Sequence, residues 1–529
     1  MKPPSLFRLA AVLLPACAPA TVASQAAPAG QAERPALVVF IAMDQMRPDY
    51  FDRWPGQLTG GLKRLYDGSA FYARGEQDHA ITETAPGHAT MLTGRSPAST
   101  GVVTNELGVP DSAAPLLGVP GPGASPRRMR GTTLYDWMKA ADPDVRVLSV
   151  SGKDRGAILP IGRAKVPVYW YRFGIFTTSK WYGDQLPDWL DAWNQRQGAA
   201  RMAGKSWNLL LDAASYPEAD SAVWERGGNG FLFPKQFSPD SQRVTLEILL
   251  SPWVDSLNLD VALEGVKALR LGGRSGRTDL LSIGLSTTDY VGHTYGPDSR
   301  ELHDHILRLD RFLGWFMDSL AKVVPAGRTL YVLTSDHGVT SFPEASRARG
   351  RMAGRANADT ITALADQALA AIHGRTLLDF NNGLLYGDVA TLKQAGVNVD
   401  SLASALASSL ASITGVTRIY TPRSLAAADT TDLDAMRWRR SIPSDFPWLA
   451  AASLAPGYIW SFSPNATTHG TTNADDVRVP ILFMGAGITP AKLQRARTVD
   501  IAPTIAAILG IKPTEAVEGR VLPEVVKSP

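Results

Sequence analysis

The sequence predicts an α/β protein with a mostly parallel central sheet flanked by helices on both faces. Three observations predict it. Short apolar segments rich in β-branched residues recur along the chain, helical patterns lie between them, and charged residues stand just beyond four of the segments. Near-continuous apolar runs suit strands buried on both faces. Their alternation with helices suits a parallel sheet. Ligands of open α/β sheets bind outside the carboxyl ends of the strands, where these charged residues fall.

Residues 36–43 (ALVVFIAM) form the first strand, with Asp44 directly after it. Residues 82–94 (TETAPGHATMLTG) contain a helix start, with Pro86 in the first turn. Residues 145–150 (VRVLSV) form a strand that leads into Lys153 and Arg155, an alternating pair expected to project to one side of an extended strand end. Residues 279–286 (DLLSIGLS) precede Asp289, and residues 329–334 (TLYVLT) precede Asp336-His337, where Gly338 permits a sharp turn. Residues 479–484 (VPILFM) give a further strand; 302–320, 360–372 and 500–509 read as helices. Two stretches depart from the rhythm. Residues of about 160–260 are rich in Trp and Tyr and are expected to be an insertion covering the site. Residues of about 340–460, with Ala- and Ser-rich helices and Pro/Gly breaks, are expected to be a second cap.

The first stretch has the pattern of an export signal. Lys2 and Arg8 precede the run LAAVLLPA, and Ser24-Gln25-Ala26 resembles a signal peptidase site. The apolar run is too short for a permanent transmembrane anchor. Residues 1–26 are therefore read as a signal peptide, 27–529 as the catalytic domain, and the location as periplasmic or extracellular. Cys17, the only cysteine, sits in a loose lipoprotein-like box with an atypical Pro15, which makes lipid anchoring the less favoured alternative. Cleavage after Ala26 leaves no cysteine and so no disulfide or thiol chemistry. Without Lys2 and Arg8 the chain has 51 basic and 50 acidic residues. That balance gives no support for a nucleic-acid surface.

The metal-ligating residue types are spaced as a two-ion site would require. Asp289 and His293 lie four apart, on one face of a helical turn. Asp44 and Asp336-His337 end strands, and His469 lies in the Thr/Gly loop TTHGTT. Imidazole and carboxylate suit zinc, although such donors also accept manganese or cobalt. A pair of divalent ions concentrates positive charge, as a site for an anionic substrate needs. Among the eight histidines, His79 and His88 flank the 82–94 segment and are read as supports, His303 and His305 as surface or packing residues, and His373 as a helix C-terminal partner.

The segment TETAPGHATMLTG resembles the nucleophile segment of the alkaline phosphatase superfamily, in the branch of type I phosphodiesterases and nucleotide pyrophosphatases. IAMDQMRPDY, TNE, SGKDRGAI, STTDYVGH, LTSDHG, TTHG and TVDIAPTIAAILGI occur in the expected order, so the resemblance spans about residues 36–522. It implies an alkaline-phosphatase-like sheet with inserted caps, Thr84 as nucleophile and two zinc ions. One ion would take Asp289, His293 and His469; the other Asp44, Asp336, His337 and Thr84. Asn105 would bind a phosphate oxygen. Lys153 and Arg155 resemble the pair found in bacterial alkaline phosphatases with a Thr nucleophile, and two cations suit the extra negative oxygen of a monoester. Thr at the nucleophile position argues against a sulfatase, which needs Cys or Ser there. The expected activity is hydrolysis of small phosphate monoesters. A phosphodiesterase, or an inactive relative that binds phosphate or a partner, stays open at this stage.

Overall fold

The structure, a computed structural model, describes residues 34–526 apart from 226–231, 326, 358–377, 462 and 486. The expected signal segment with Cys17, the expected helix at 360–372 and His373 lie outside the described residues.

Nine strands make the central sheet: β1 (Leu37–Met43), β2 (Ala70–Glu76), β3 (Val147–Ser151), β4 (Val168–Arg172), β5 (Ile175–Thr177), β6 (Asp279–Leu285), β7 (Thr329–Thr334), β8 (Arg478–Met484) and β9 (Ala491–Arg497). Their order across the sheet is β9-β2-β8-β7-β1-β6-β3-β4-β5. β7, β1, β6, β3 and β4 run parallel. β8 is antiparallel to both of its neighbours, and β5 is antiparallel to β4.

β1 lies at the centre because every one of its residues is apolar and every one is buried. Its side chains alternate: Val39, Ile41 and Met43 enter the core on one face, Val38, Phe40 and Ala42 that on the other. Four helices frame the strand ends or pack beneath them: α1 (Thr84–Met91), α2 (Asp154–Ile158), α3 (Trp253–Leu269) and α4 (Thr287–Tyr295). α3 delivers Leu259 and Val266 to the first face, and α1 delivers Ala85 and Ala89 to the second. Helices on both faces leave only the strand ends open for chemistry.

Two expectations are corrected and one is narrowed. Within 160–260, β4 and β5 extend the central sheet and α3 packs on it, so much of this stretch belongs to the main body rather than to a separate cover. The Lys153-x-Arg155 pair is not on a strand end. β3 stops at Ser151, Lys153 caps α2 and Arg155 lies in that helix's first turn, because the chain must reverse as it leaves the sheet. Of the surface and packing readings of His303 and His305, packing is the one that holds, since both are fully buried. His303 stacks on Trp54 at 4.2 Å and contacts Glu218 and Gln57, while His305 lies 2.9 Å from the Thr288 hydroxyl.

Residues 378–454 add a separate four-stranded antiparallel sheet with its own core, covered by the helix Val399–Ala411. No helix among the described residues is long and apolar enough to cross a membrane.

Candidate active site

The carboxyl ends of β1, β6, β7 and β3 bring the predicted polar residues to one place. Asp289, His293 and His469 present ligand atoms within 4.8 Å of one another, and Asp44, His88 and Asp336 do the same. Asp44 and Asp336 are wholly buried, and Asp289 nearly so. Lys153 reaches across, its Nζ 2.5 Å from Asp289 Oδ2 and 3.0 Å from Asp44 Oδ2. Three buried carboxylates against one buried ammonium leave negative charge for further cations to balance, protonated imidazole or metal ion.

The histidines are set as ligands. The Nδ1–H of His293 donates to the Thr467 carbonyl at 2.7 Å, that of His469 to the Thr82 carbonyl at 2.7 Å, and that of His337 to the Gly338 carbonyl at 2.9 Å. A carbonyl can only accept, so each ring carries a proton on Nδ1 and turns Nε2 inward. Despite its burial, His337 is pushed up to about 9 by Asp336, so a metal ion there would have to displace its Nε2 proton. The Nε2 atoms of His293 and His469 lie 3.2 Å apart, and the His337 ring stacks on that of His469 at 3.5 Å. Among the described residues, Asp44 Oδ2, Asp336 Oδ2 and His337 Nε2 are buried without a hydrogen bond of good geometry; Asp44 Oδ2 has only its ion pair to Lys153, and Asp336 Oδ2 and His337 Nε2 face each other at 3.2 Å. Under-partnered atoms of this kind, in two adjoining carboxylate–imidazole groups, fit a pair of divalent ions.

The electrostatics agree. Burial alone would raise the Asp289 carboxyl, but Lys153 and His293 hold it well below the usual carboxylate range. Burial likewise opposes ionisation of Asp336, and His337 overcomes it, pulling the carboxyl down. Burial and the neighbouring His337 push His469 down to about 3, so its imidazole is neutral and free to ligate.

Thr84 is the first residue of α1, and the cap position falls on Glu83 rather than on Thr84 itself. Its hydroxyl therefore sits at the positive end of a helix without serving as that helix's cap. α1 touches the ligand set directly: a Cβ on Gly87 would lie 2.4 Å from the Asp336 carbonyl oxygen. Asn105 is held by Ala85, whose N–H donates to Asn105 Oδ1 at 2.9 Å, which turns the remaining amide group away from the helix. Gly338 is needed for closeness rather than for a turn, since a Cβ there would meet the Asp475 carbonyl at 2.1 Å. Arg155 is partly exposed and lies 3.5 Å from Asp154. All ten residues singled out in the sequence thus belong to this strand-end region or to the helices against it.

Three further residues were not singled out as ligands or clamps. His88, read only as a support, lies 3.0 Å from Asp44 and 3.6 Å from Asp336, in ligand range itself. Glu83 is buried, accepts from the Asn105 backbone at 2.7 Å and from the Asn382 amide at 2.5 Å, and is pushed up to about 7 by burial and by Glu106. It ties the start of α1 to the second sheet. Gln45 joins the two ligand groups. Its backbone N–H donates to Asp336 at 3.0 Å and its side-chain amide to Asp289 at 2.8 Å. It does so at φ 66°, a conformation that non-glycine residues rarely adopt. The only advance signal was its position next to Asp44.

Gln45 explains Gly292, inside the Asp-x-x-x-His helix. A Cβ on Gly292 would fall 1.7 Å from Gln45 Oε1. Gly292→Ala is expected to displace that amide from Asp289 and to weaken binding of a divalent ion such as zinc about 10- to 100-fold, as loss of an outer partner does. Competition with a chromophoric chelator measures this; unchanged zinc affinity would remove Gln45 from the design.

Comparison with known proteins agrees with the geometry. The profile of the type I phosphodiesterase / nucleotide pyrophosphatase family matches residues 38–383. Alkaline phosphatase PhoV of Synechococcus elongatus is 31% identical, over 93% of each chain. Alkaline phosphatase PafA of Elizabethkingia meningoseptica is 29% identical, over 93% of this chain and 95% of that one. Alkaline phosphatase PhoK of a Sphingomonas species is 31% identical, over 92% and 91%. The crystal structure of wild-type PafA superposes with a TM-score of 0.86 at 27% identity, covering 94% of this chain and 100% of that one. With its sheet, its strand-end carboxylates and its sequence all in agreement, the chain belongs to the type I phosphodiesterase and nucleotide pyrophosphatase family of the alkaline phosphatase superfamily.

Proposed function

We propose that the protein is an exported alkaline phosphatase that hydrolyses small phosphate monoesters through a phospho-Thr84 intermediate. One observation carries the reading: three aspartates and three Nδ1-anchored histidines converge beside the N-terminus of the Thr84 helix, with Lys153 among them. The related alkaline phosphatases support the monoesterase choice.

Asp289, His293 and His469 would hold one zinc ion, and Asp44, Asp336, His337 and Thr84 the other; His88 orients Asp44. Two ions so held supply a lowered pKa for the Thr84 hydroxyl and charge stabilisation for the departing oxygen. Thr84 Oγ, its proton lost, attacks phosphorus in line. The bond to the leaving alcohol breaks as the bond to Oγ forms, and the alcohol oxygen takes a proton. Water then cleaves the phosphothreonine, returning the hydroxyl and releasing inorganic phosphate. Asn105, Lys153 and Arg155 hold the other phosphoryl oxygens, where charge accumulates in a loose transition state. The described parts of the expected insertions, about 160–260 outside the central sheet and about 340–460, would cap this site, and residues 1–26 would direct the chain to the periplasm or beyond.

The test combines substrates with metal. The enzyme should release phosphate from para-nitrophenyl phosphate much faster than it cleaves bis-para-nitrophenyl phosphate, with two zinc ions per chain. Chelation should abolish turnover, restorable by zinc, and should lower Tm, since a ligand at a thousand times its Kd stabilises by about 4 kcal/mol. A preference for the diester, or full activity and an unchanged Tm after complete zinc removal, would refute the reading.

A further inference from the structure

A cavity of about 140 Å³ opens beside the proposed phosphate clamp, and Lys153, Arg155, Arg172, Trp170, Phe173 and Tyr290 are among its lining residues. Its cations are not equivalent. Lys153 is committed to Asp289 and Asp44. Arg155 lies against Asp154, which is also on the wall. Arg172, at the end of β4, has no hydrogen bond or ion pair from its guanidinium among the described residues, and its Nε is buried without a partner. Its charge only lies over the ring of Phe173, 4.4 Å from the centroid. A guanidinium held in a wall with a buried N–H unsatisfied is costly unless something arrives to accept from it. A planar fork of donors best accepts a carboxylate or a phosphate.

The cavity is smaller than the several hundred Å³ of a whole-ligand pocket, so it suits a part of a substrate. Since Lys153 and Arg155 line it, an ester whose phosphoryl group lies against them would reach it with its other end. We infer that Arg172 forms a specificity subsite for a second anionic group, a carboxylate or phosphate, carried on the leaving alcohol a few atoms from the ester oxygen. Trp170 and Phe173 supply the apolar wall that keeps such a group against the guanidinium. The inference rests on the phosphomonoesterase reading and adds to it a class of preferred substrate.

Two substrate pairs, each differing by one carboxylate, test it: glycerol 3-phosphate against 3-phosphoglycerate, and phenyl phosphate against para-carboxyphenyl phosphate. Arg172→Gln should raise KM for the acidic member of at least one pair about tenfold with kcat little changed. KM for the uncharged partner should move less than twofold. Arg172→Lys, which keeps the charge, should retain most of the wild-type selectivity. Equal effects on both members of both pairs, or none on either, would overturn the subsite while leaving the phosphatase reading intact. An acidic-substrate effect reproduced by adding free acetate to the neutral substrate would overturn it too, because the anion would then not need to be tethered. Failure of the wild-type enzyme to release phosphate from any of the four would instead bring down the parent reading.

Discussion

Thr84→Ala should lower kcat for phosphate release from para-nitrophenyl phosphate by about 10,000-fold or more, which is the scale of losing a covalent nucleophile. The substitution removes a hydroxyl and one methyl group and little else. Thr84 does not cap its helix, and Glu83, which holds that position, keeps its bond to the Asn105 backbone. Alanine is also a better helix former than threonine, so α1 should persist. The three aspartates and three histidines are untouched, and zinc content and inorganic phosphate binding should stay close to normal. Thr84→Ser, which restores an attacking oxygen, should recover turnover to within about tenfold. Turnover of Thr84→Ala within tenfold of wild type would mean that some other oxygen attacks phosphorus.

Removing the two clamp cations should separate monoesters from diesters. Each charge-assisted hydrogen bond to a phosphoryl oxygen contributes about 1.5–3 kcal/mol. Losing both therefore predicts a fall of about 1,000-fold in kcat/KM for para-nitrophenyl phosphate. Bis-para-nitrophenyl phosphate carries one negative charge fewer and should lose less than tenfold. Arg155→Ala is the cleaner single change, because Lys153 also bridges Asp44 and Asp289. Lys153→Ala leaves those carboxylates without their ammonium, so its zinc content has to be measured alongside. Losses of equal size on the two esters would show that the pair does not recognise the additional charge of a monoester.

Much of the framework is legible in the chain because burial on both faces of a sheet forces apolar runs. Thr329–Thr334 is read to the residue, and Leu37–Met43 and Asp279–Leu285 to within one residue at one end. The Asp289 and His293 pair is legible because a helix repeats every 3.6 residues, and both indeed project from α4. The error at Lys153 and Arg155 has an equally local cause. Ser151 and Gly152 end the strand, but nothing in the letters distinguishes two more extended residues from an immediate helical turn. Glu83, Gln45 and Arg172 escaped notice because each draws its meaning from partners 22 to 299 residues away or from the wall it lines.

By itself the sequence determined the strand and helix alternation and the donor types suited to divalent ions, because periodicity and side-chain chemistry are properties of neighbours in the chain; the Thr84 segment was legible only through its family resemblance. Tertiary structure alone decided which atoms of those donors face one another. The anchoring of His293 and His469 depends on carbonyls at Thr467 and Thr82, and the joining of Asp289 to Asp336 depends on Gln45. Such contacts connect distant parts of the chain, and no local pattern encodes their directions. The physical reason is that a hydrogen bond is fixed by angles and tenths of an ångström, which exist only once the sheet has brought its strand ends together.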